Sequence, residues 1–350
     1  TDTITKKIFA GTRSSMLYQY NNKFVLEDTF KLNSPPSSIL FGKQNEFIIS
    51  NMGIMDPNDR AVGEIIRLKN NTSELLVDSL KRPVFIEQAD LDNDKKADFV
   101  VCEFGNYTGA LTAYKNLGDD RYEKHIIFSL PGARKIIARD VNHDGLTDLI
   151  VLMTQGDEQI ALLTNSGNFN FRITTLLRFP PVYGSSFMEI TDFNHDGNFD
   201  ILYTNGDNAD YSTILKPYHG VRVFMNDGKN KFNESWFYNM HGASQALARD
   251  FDSDGDIDIA AISFFPDFDN HPEDGFIYFE NTGTTFKAHT TPQARNGRWL
   301  VIDAADVDQD GDCDLLLGAL NFNSKVPPAL YQAWSSKKTS ILYLKNTTIR

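Results

Sequence analysis

Cysteine is scarce in this sequence, with only Cys102 and Cys313 among 350 residues. They lie in dissimilar contexts, so no framework of disulfides is indicated and the count leaves the redox compartment open. No run approaches 18 apolar residues, so we expect no transmembrane helix. Helical periodicity is absent throughout. The formal net charge is -13 and clustered Lys and Arg are lacking, which argues against nucleic acid as a partner.

What the sequence does contain is an acidic segment that recurs five times. The copies begin at Asp90, Asp140, Asp192, Asp250 and Asp306 and read DLDNDKKAD, DVNHDGLTD, DFNHDGNFD, DFDSDGDID and DVDQDGDCD. They are separated by 50, 52, 58 and 56 residues. A period of this length indicates a repeat architecture in which each copy belongs to one supersecondary unit.

Each acidic segment lies between a β-type run and an apolar run that is too short for a helix, and two further strands follow. Four antiparallel strands per unit of about fifty residues are typical of the blades of a β-propeller. The sequence therefore predicts an all-β fold, a seven-bladed β-propeller of four-stranded antiparallel blades, with six blades as the alternative. In a single domain over residues 1–350, the blades would span about 6–30, 37–80, 82–130, 134–180, 186–238, 243–290 and 299–347.

The acidic segments predict calcium sites in the loops between strands one and two. Calcium takes six to eight hard oxygens, and a tight loop delivers them from alternate residues, here the side chains at positions one, three, five and nine and the carbonyl at position seven. Up to five Ca²⁺ are expected. The ligand sets are Asp90, Asp92, Asp94, Lys96 and Asp98; Asp140, Asn142, Asp144, Leu146 and Asp148; Asp192, Asn194, Asp196, Asn198 and Asp200; Asp250, Asp252, Asp254, Asp256 and Asp258; Asp306, Asp308, Asp310, Asp312 and Asp314.

Other interpretations of these loops fit less well. An EF-hand needs a bidentate Glu at position twelve, but that position is Ala261 in the fourth copy and an apolar strand residue or tyrosine in the others. Magnesium prefers a small octahedron and zinc prefers His or Cys. A solvated acidic turn without an ion remains the bland alternative. We expect the first site to be the weakest, because Lys95 stands where the other copies have glycine.

The motif DxDxDGxxD followed by an apolar strand, repeated in four-stranded units, resembles the FG-GAP/VCBS repeat family of calcium-binding β-propellers. The resemblance covers about 82–347 well, and the first 80 residues only by strand pattern. It implies the propeller fold and the calcium ligands named above. Because members include adhesion modules, lectin-like domains and some polysaccharide lyases, it does not determine function.

The loops at the ends of the sheets opposite the acidic loops are the expected place for a ligand. Three connections between strands two and three are long, at 204–220, 264–275 and 321–338, and loops of this length in compact domains are commonly functional. With the adjoining connections between blades they carry aromatic and charged residues suited to stacking and charge-assisted hydrogen bonds. The candidates are Asp210, Tyr211, Lys216, Tyr218, His219, His241, Phe265, Asp267, Arg298, Trp299, Tyr331 and Trp334.

The sequence thus predicts an extracellular, cell-surface or periplasmic module that binds or adheres to a glycan or an extracellular protein, with oligomeric state undetermined. The alternative is a polysaccharide lyase in which Tyr218, His219, Lys216 and Arg298 abstract a proton and neutralise a carboxylate. No nucleophile motif such as GxSxG or HExxH occurs. A purely structural surface domain is the third possibility.

Overall fold

The computed structural model describes residues 1–2, 7–42, 46–212 and 214–348, without the side chain of Tyr211. Within these residues the strands form seven antiparallel sheets, so the fold is a seven-bladed β-propeller. This confirms the predicted all-β class and excludes the alternative of six blades. Contacts divide the chain into two compact units, Asp2–Phe179 and Pro180–Arg350 together with Thr1. A single domain over the whole chain stays a prediction.

The unit Asp2–Phe179 contains one sheet of three strands followed by three sheets of four strands. The first sheet consists of β1 Ile8–Gly11, β2 Met16–Tyr20 and β3 Leu26–Lys31, and the second of β4 Pro36–Phe41, β5 Glu46–Asn51, β6 Ala61–Lys69 and β7 Thr72–Lys81. The third consists of β8 Pro83–Ala89, β9 Asp98–Glu103, β10 Ala110–Gly118 and β11 Arg121–Phe128, and the fourth of β12 Ala133–Arg139, β13 Asp148–Met153, β14 Gln159–Asn165 and β15 Phe171–Arg178.

The unit Pro180–Arg350 contains two sheets of four strands and a last sheet of three. These consist of β16 Ser185–Thr191, β17 Asp200–Asn205, β18 Gly220–Asn226 and β19 Phe232–Asn239; β20 Ala243–Arg249, β21 Asp258–Ser263, β22 Phe276–Asn281 and β23 Phe286–His289; and β24 Trp299–Ala305, β25 Asp314–Ala319 and β26 Ile341–Leu344. Short 3-10 helices lie at Asp207–Tyr211, Pro272–Gly275 and Pro292–Asn296.

Burial explains why the second strand of a blade is continuously apolar. All six residues of β13, DLIVLM, are buried, whereas most of β15, FRITTLLR, is exposed or half-buried. Sheets stacked face to face cover both faces of their inner strands, and the outermost strand keeps one edge and much of its surface in solvent. In the unit Pro180–Arg350 the contact between sheets relies on small residues, since Ala246, Ala248 and Ala261 belong to one buried cluster.

One α-helix lies in the described part of the chain, where the sequence analysis expected a loop. Helix α1, Pro328–Lys337, follows β25. It begins with a proline, which is tolerated in the first turn because that N–H would have no partner within the helix. A cluster of Phe268, Val326 and Trp334 holds it, with Leu330 and Tyr331 packed alongside. Such a short helix depends on tertiary packing, which is why periodicity alone did not indicate it.

In the five blades that contain an acidic loop, strand pairing separates that loop from the connection between strands two and three. An acidic loop joins the first strand to the second, and its ends meet in the pairs Ala89 with Asp98 and Arg249 with Asp258. Because the strands are antiparallel, the connection from the second strand to the third emerges at the opposite end of the same sheet. No helix in the described ranges is long and apolar enough to cross a membrane.

Candidate functional site

The five acidic loops share one backbone conformation. The fourth residue of each loop has φ between 58° and 68°, and the sixth has φ between 68° and 99°. Glycine adopts this left-handed region without a Cβ penalty and occupies the sixth position in four loops, but the first loop has Lys95. A Cβ atom added at Gly145, Gly197 or Gly255 would meet nothing within 4 Å. The cost at Lys95 is therefore backbone strain rather than a collision.

The last aspartate of each motif closes its loop from the inside. Its Oδ2 accepts the backbone N–H of the second loop residue, and its Oδ1 accepts the N–H of an asparagine within two residues of the end of the third strand, at 2.7 to 3.1 Å. A carboxylate offers about four acceptor positions, so these bonds leave capacity for a cation. The five residues are fully buried: Asp98, Asp148, Asp200, Asp258 and Asp314.

The sequence analysis missed the asparagine that partners each of these aspartates. Its Nδ2 donates to the carbonyl of the eighth loop residue at 3.0 to 3.2 Å, and its Oδ1 accepts the N–H two residues further on at 2.9 to 3.1 Å. An N-x-G sequence after the third strand, present in four of the five copies, was the available signal. The residues are Asn116, Asn165, Asn226, Asn281 and Asn346.

Neighbouring acidic loops contact each other through the fourth residue. In the unit Asp2–Phe179, Asn93 Nδ2 donates to the carbonyl of Gly145 at 3.4 Å. In the unit Pro180–Arg350, His195 Nε2 lies 3.1 Å from the carbonyl of Gly255, and since a carbonyl only accepts, Nε2 carries the proton. These side chains connect successive loops.

Carboxylates converge in three of the five loops within the described ranges. In each, three carboxylate oxygens lie within 4.8 Å of one another, close enough to hold a metal ion. The loops that start at Asp140 and Asp192 have Asn142 and Asn194 at position three, so they offer an amide oxygen there instead of a charge. The three clusters are Asp90, Asp92 and Asp94; Asp250, Asp252 and Asp254; and Asp306, Asp308 and Asp314.

Two loops contain buried carboxylate oxygens without a hydrogen-bond donor. They are Oδ1 of Asp250 and Asp256 in one loop and Oδ1 of Asp306 and Asp312 in the other. Burial, followed by the charges of neighbouring aspartates, raises the pKa of Asp256 to about 6. A buried anionic oxygen without a donor is costly, and a hard cation would supply the missing partner. The donor set therefore fits a metal ion.

Lysine ammonium groups lie against two of the clusters. Lys345 Nζ pairs with Asp308 and lies 3.1 Å from Oδ2 of Asp310. Lys115, at the equivalent position before the asparagine, pairs with Asp92 in the first loop. An ammonium group paired with these carboxylates competes with a metal ion for the same oxygens. The sequence analysis did not predict either lysine.

At the opposite ends of the sheets, the long loops of the unit Pro180–Arg350 meet around two histidines. His219 is fully buried; its Nδ1 accepts the N–H of Gly242 at 3.3 Å, so Nε2 donates to Asn208 Oδ1 at 2.8 Å. Burial lowers the pKa of His219 to about 3, which keeps the ring neutral. The ring of His241 lies 5.2 Å away and its Nδ1 donates to the carbonyl of Phe265 at 2.7 Å.

Two lysines lie side by side next to this histidine pair. Lys216 Nζ donates to the carbonyl of Asn208 at 3.0 Å, and Lys325 Nζ donates to the carbonyl of the next residue, Ala209, at 3.2 Å. Burial, and then the charge of Lys325, lower the pKa of Lys216. Among the described residues no carboxylate forms an ion pair with either lysine. The charge of Asp210 offsets part of this effect without an ion-pair contact, and the two adjacent ammonium groups still favour an anion.

Aromatic and apolar side chains border these cations. Tyr183 and Tyr218 stack with ring centres 5.5 Å apart and an interplanar angle of 9°. The guanidinium of Arg222 lies 4.9 Å from the Tyr183 ring and donates to the carbonyl of Tyr218 at 2.9 Å. The neighbouring apolar side chains are at least half exposed: Val182, Ile214 and Leu215. We call this surface the His–Lys cluster. Its residues are Val182, Tyr183, Ile214, Leu215, Lys216, Tyr218, His219, Arg222, His241 and Lys325.

Arg298 is buried in an aromatic cage beside the His–Lys cluster. Only 1% of its surface is exposed, and four phenylalanine rings lie 4.2 to 5.0 Å from its guanidinium carbon. Nη2 donates to the carbonyl of Ser324 at 2.8 Å, whereas Nε and Nη1 have no hydrogen-bond partner. Burial lowers the pKa of Arg298 to about 10, so the group stays charged at neutral pH. The rings are Phe264, Phe265, Phe268 and Phe322.

The structure brings together some of the predicted ligand-binding residues and separates others. Lys216, Tyr218, His219, His241 and Phe265 are connected by successive pairwise contacts, and Arg298 joins them through Phe265.

Trp299, Tyr331 and Trp334 lie away from these contacts. Trp299 and Trp334 are 0% and 2% exposed, and their Nε1 atoms donate to the carbonyls of Ala294 and Arg295 at 2.6 and 2.7 Å. Tyr331 packs beside Trp334. Asp210 is exposed on the 3-10 helix beside the lysine pair: its backbone carbonyl accepts a hydrogen bond from Lys325, and its charge opposes the lowering of the pKa of Lys216. Asp267 accepts hydrogen bonds from Asn270, and its charge opposes the lowering of the pKa of His241. The Tyr211 side chain lies outside the described residues.

The four residues of the lyase alternative are not arranged around a free base. His219 is neutral, fully buried, and uses both ring nitrogens within the protein. Lys216 and Tyr218 lie beside it, while Arg298 lies inside its cage. Sequence reasoning missed Asn208, Arg222 and Lys325, because no local sequence pattern distinguishes them.

Comparison with known proteins supports the repeat and the fold. The family model described as an FG-GAP-like repeat matches residues 90–151, 140–203 and 250–317, which together span just over half of the chain. No curated protein matches the sequence.

Among solved structures, a protein from Lactobacillus plantarum is similar with a TM-score of 0.56, 10% identity, and coverage of 90% of this chain and 89% of that chain. BBS1N, solved in complex with ARL6DN, gives a TM-score of 0.56, 8% identity, and 89% and 83% coverage. The Dos1 propeller gives a TM-score of 0.51 and 9% identity, with coverage of 89% of this chain and 72% of that chain. Identities this low support the fold alone. With its matched repeats and seven blades, the chain belongs to the FG-GAP-like repeat proteins.

Proposed function

We propose that this protein is an extracytoplasmic, calcium-stabilised binding or adhesion module. Its ligand is an anionic glycan or protein that docks on the His–Lys cluster, and its acidic loops hold Ca²⁺ at the other ends of the same sheets. The propeller fold is commonly a binding scaffold, and loops on a rigid scaffold commonly carry recognition.

The observation that carries the proposal is the lysine pair. The chain has a net charge of -13, yet Lys216 and Lys325 are held together by consecutive carbonyls, with no carboxylate among the described residues in ion-pair contact. The bordering tyrosine stack and exposed apolar side chains add contact area of the kind that interfaces use. An anionic partner would neutralise the two ammonium groups, which a neutral sugar or a basic protein would not.

Calcium binding is supported by the oxygens that lack donors in the loops starting at Asp250 and Asp306. In each loop the ligands would be the carboxylates at positions one, three, five and nine and the carbonyl at position seven. FG-GAP repeats often bind calcium, which also supports the proposal. The first loop should bind weakest because Lys115 and Lys96 pair with its carboxylates. Extracellular calcium is millimolar, which is the physical argument for an extracytoplasmic location.

The ligand proposal is tested with polyanionic glycans and acidic proteins on one array. Wild-type protein should bind at least one polyanion with affinity that falls as salt increases, and a Lys216→Gln/Lys325→Gln variant should lose that binding. A matched control neutralises a lysine outside the cluster, Lys229→Gln. Equal binding by all three proteins, or no binding to any polyanion, would contradict the proposal.

The calcium proposal is tested separately by calorimetry. Millimolar Ca²⁺ should raise the unfolding temperature of chelated protein, because an ion that binds only the folded state stabilises it by mass action. Mg²⁺ at the same concentration should give a smaller shift. An unfolding temperature that does not respond to Ca²⁺ would refute this part and leave the ligand proposal standing.

A further inference from the structure

A cavity of about 710 Å³ lies within the unit Pro180–Arg350 beside helix α1. Its walls are the segment 268–272, the 3-10 helix Pro292–Asn296 and α1, and none of the residues of the His–Lys cluster lines it. Ligand pockets typically have about 300 to 1,000 Å³, so the space suits a side chain with part of its backbone.

Specific contacts hold the cavity open. Trp334 is buried, packs on the Phe268 ring at 5.7 Å, and donates its Nε1 hydrogen to the carbonyl of Arg295 at 2.7 Å. One turn later, Lys337 Nζ donates to Asn296 Oδ1 at 2.7 Å. Two anchors thus connect α1 to the opposite wall, while Ala329 and Ala333, which line the space, contribute only methyl groups. The cavity is preformed, and a ligand would not have to order it.

The charge of two of the three cavity walls favours an anionic ligand, while the third wall lies in the acidic segment 267–274. Residues 281–302 and 315–350 contain no Asp or Glu and together carry eight Lys and Arg, in a chain whose net charge is -13. Both cations of the lining, Arg295 and Lys337, come from these segments, and the one acid of the lining is the exposed Asp269. Among the described residues no carboxylate pairs with the exposed Arg295.

The apolar lining favours an aliphatic side chain over a sugar ring. Sugars stack on an exposed aromatic face, but Phe268 is 7% exposed and Trp334 is 2% exposed, and the indole N–H already has its acceptor. Prolines and alanine methyl groups form most of the remaining apolar wall. Such a surface offers area for burying an aliphatic group and few hydrogen bonds for hydroxyls.

We propose that this cavity binds an acidic peptide segment of a partner protein. An aliphatic side chain of the peptide would lie against Ala329 and Ala333, and a neighbouring carboxylate would pair with Arg295 and Lys337. The inference rests on the proposed binding role and adds a second site, distinct from the His–Lys cluster.

The test is selection of a displayed random twelve-residue peptide library on the intact wild-type protein. We expect the enriched peptides to carry net negative charge and an aliphatic residue, and synthetic copies to bind in fluorescence anisotropy. Ala333→Trp fills the space and Arg295→Glu reverses the charge; each should weaken binding at least about tenfold, the effect of losing one anchor contact. Gln332→Trp, on a helix position that does not line the cavity, and Lys229→Glu are the matched controls.

The outcomes distinguish this site from the His–Lys cluster. If the Lys216→Gln/Lys325→Gln variant abolishes peptide binding and Ala333→Trp does not, the cavity inference is wrong while the proposed function survives. Absence of enrichment, or enrichment of neutral or basic peptides, would also overturn it. Unfolding curves of Ala333→Trp and Arg295→Glu must match the wild type, and Arg295→Gln provides a milder charge change if either does not.

Discussion

Replacing Asp258 by alanine should destabilise the protein even without calcium, and this separates the structural role of the acidic loops from ion binding. The carboxylate is fully buried and accepts three hydrogen bonds: from the N–H of Phe251 at 3.1 Å, the N–H of Asn281 at 2.8 Å and the hydroxyl of Tyr278 at 2.8 Å. Alanine would leave all three donors without an acceptor.

The magnitude follows from these three bonds. A buried donor left without a partner costs about 1 to 3 kcal/mol, and the hydroxyl of Tyr278 can rotate or meet water, so we expect a loss of roughly 3 to 5 kcal/mol. The hydrogen bonds stabilise the ionised carboxylate, but burial opposes part of this stabilisation, since it raises the pKa of Asp258. Asp258→Asn should lose less, because the amide keeps one acceptor oxygen.

The assay is urea unfolding in chelator and in millimolar Ca²⁺, with hydrogen exchange of the Phe251 and Asn281 amides as a local readout. The matched variant is Asp254→Ala. In the protein, Asp254 is exposed, its Oδ1 accepts the N–H of Asp256, and its charge contributes to the raised pKa of Asp256. Asp254→Ala should therefore be nearly neutral in chelator and destabilising only with calcium. Equal losses for Asp258→Ala and Asp254→Ala in chelator would refute the reasoning.

Three further predictions concern single residues. Lys345→Met should raise the calcium affinity of the loop from Asp306 roughly tenfold, because it removes a competing positive charge from Asp308 and Asp310; titration calorimetry measures this, and unchanged affinity would contradict it. Lys95→Gly should stabilise the chelated protein by about 1 kcal/mol, since φ is 68° and glycine relieves that strain; a lower urea midpoint would count against it. The pKa of His219 is about 3 in the folded protein and 6.5 in the unfolded chain, so the unfolded state binds more protons below pH 6.5. The free energy of unfolding should therefore fall by roughly 2 kcal/mol between pH 6.5 and pH 5. In unfolding experiments, His219→Gln should show a flatter dependence of stability on pH.

The sequence alone determined the features that depend on local chemistry repeated along the chain. The five acidic motifs, each followed by an apolar strand, and the strand pattern of the first 80 residues together indicated seven blades, because strand alternation and turn residues act over a few positions. The left-handed sixth position of each acidic loop could be inferred from glycine, and Lys95 was recognised as the exception.

Only the tertiary structure decided which residues meet across separate strands and loops. Asn281 binds Asp258 from 23 residues away, and Lys345 reaches Asp308 from 37 residues away, because antiparallel pairing brings the end of the third strand beside the loop. No local pattern encodes such a distance. The same holds for burial: Trp299 and Trp334 suggested ligand stacking in the sequence, but packing covered both rings and used their N–H groups in the scaffold. Helix α1 and its cavity likewise exist because Trp334 finds Phe268 in another loop, a contact that depends on the fold and not on the residues next to it.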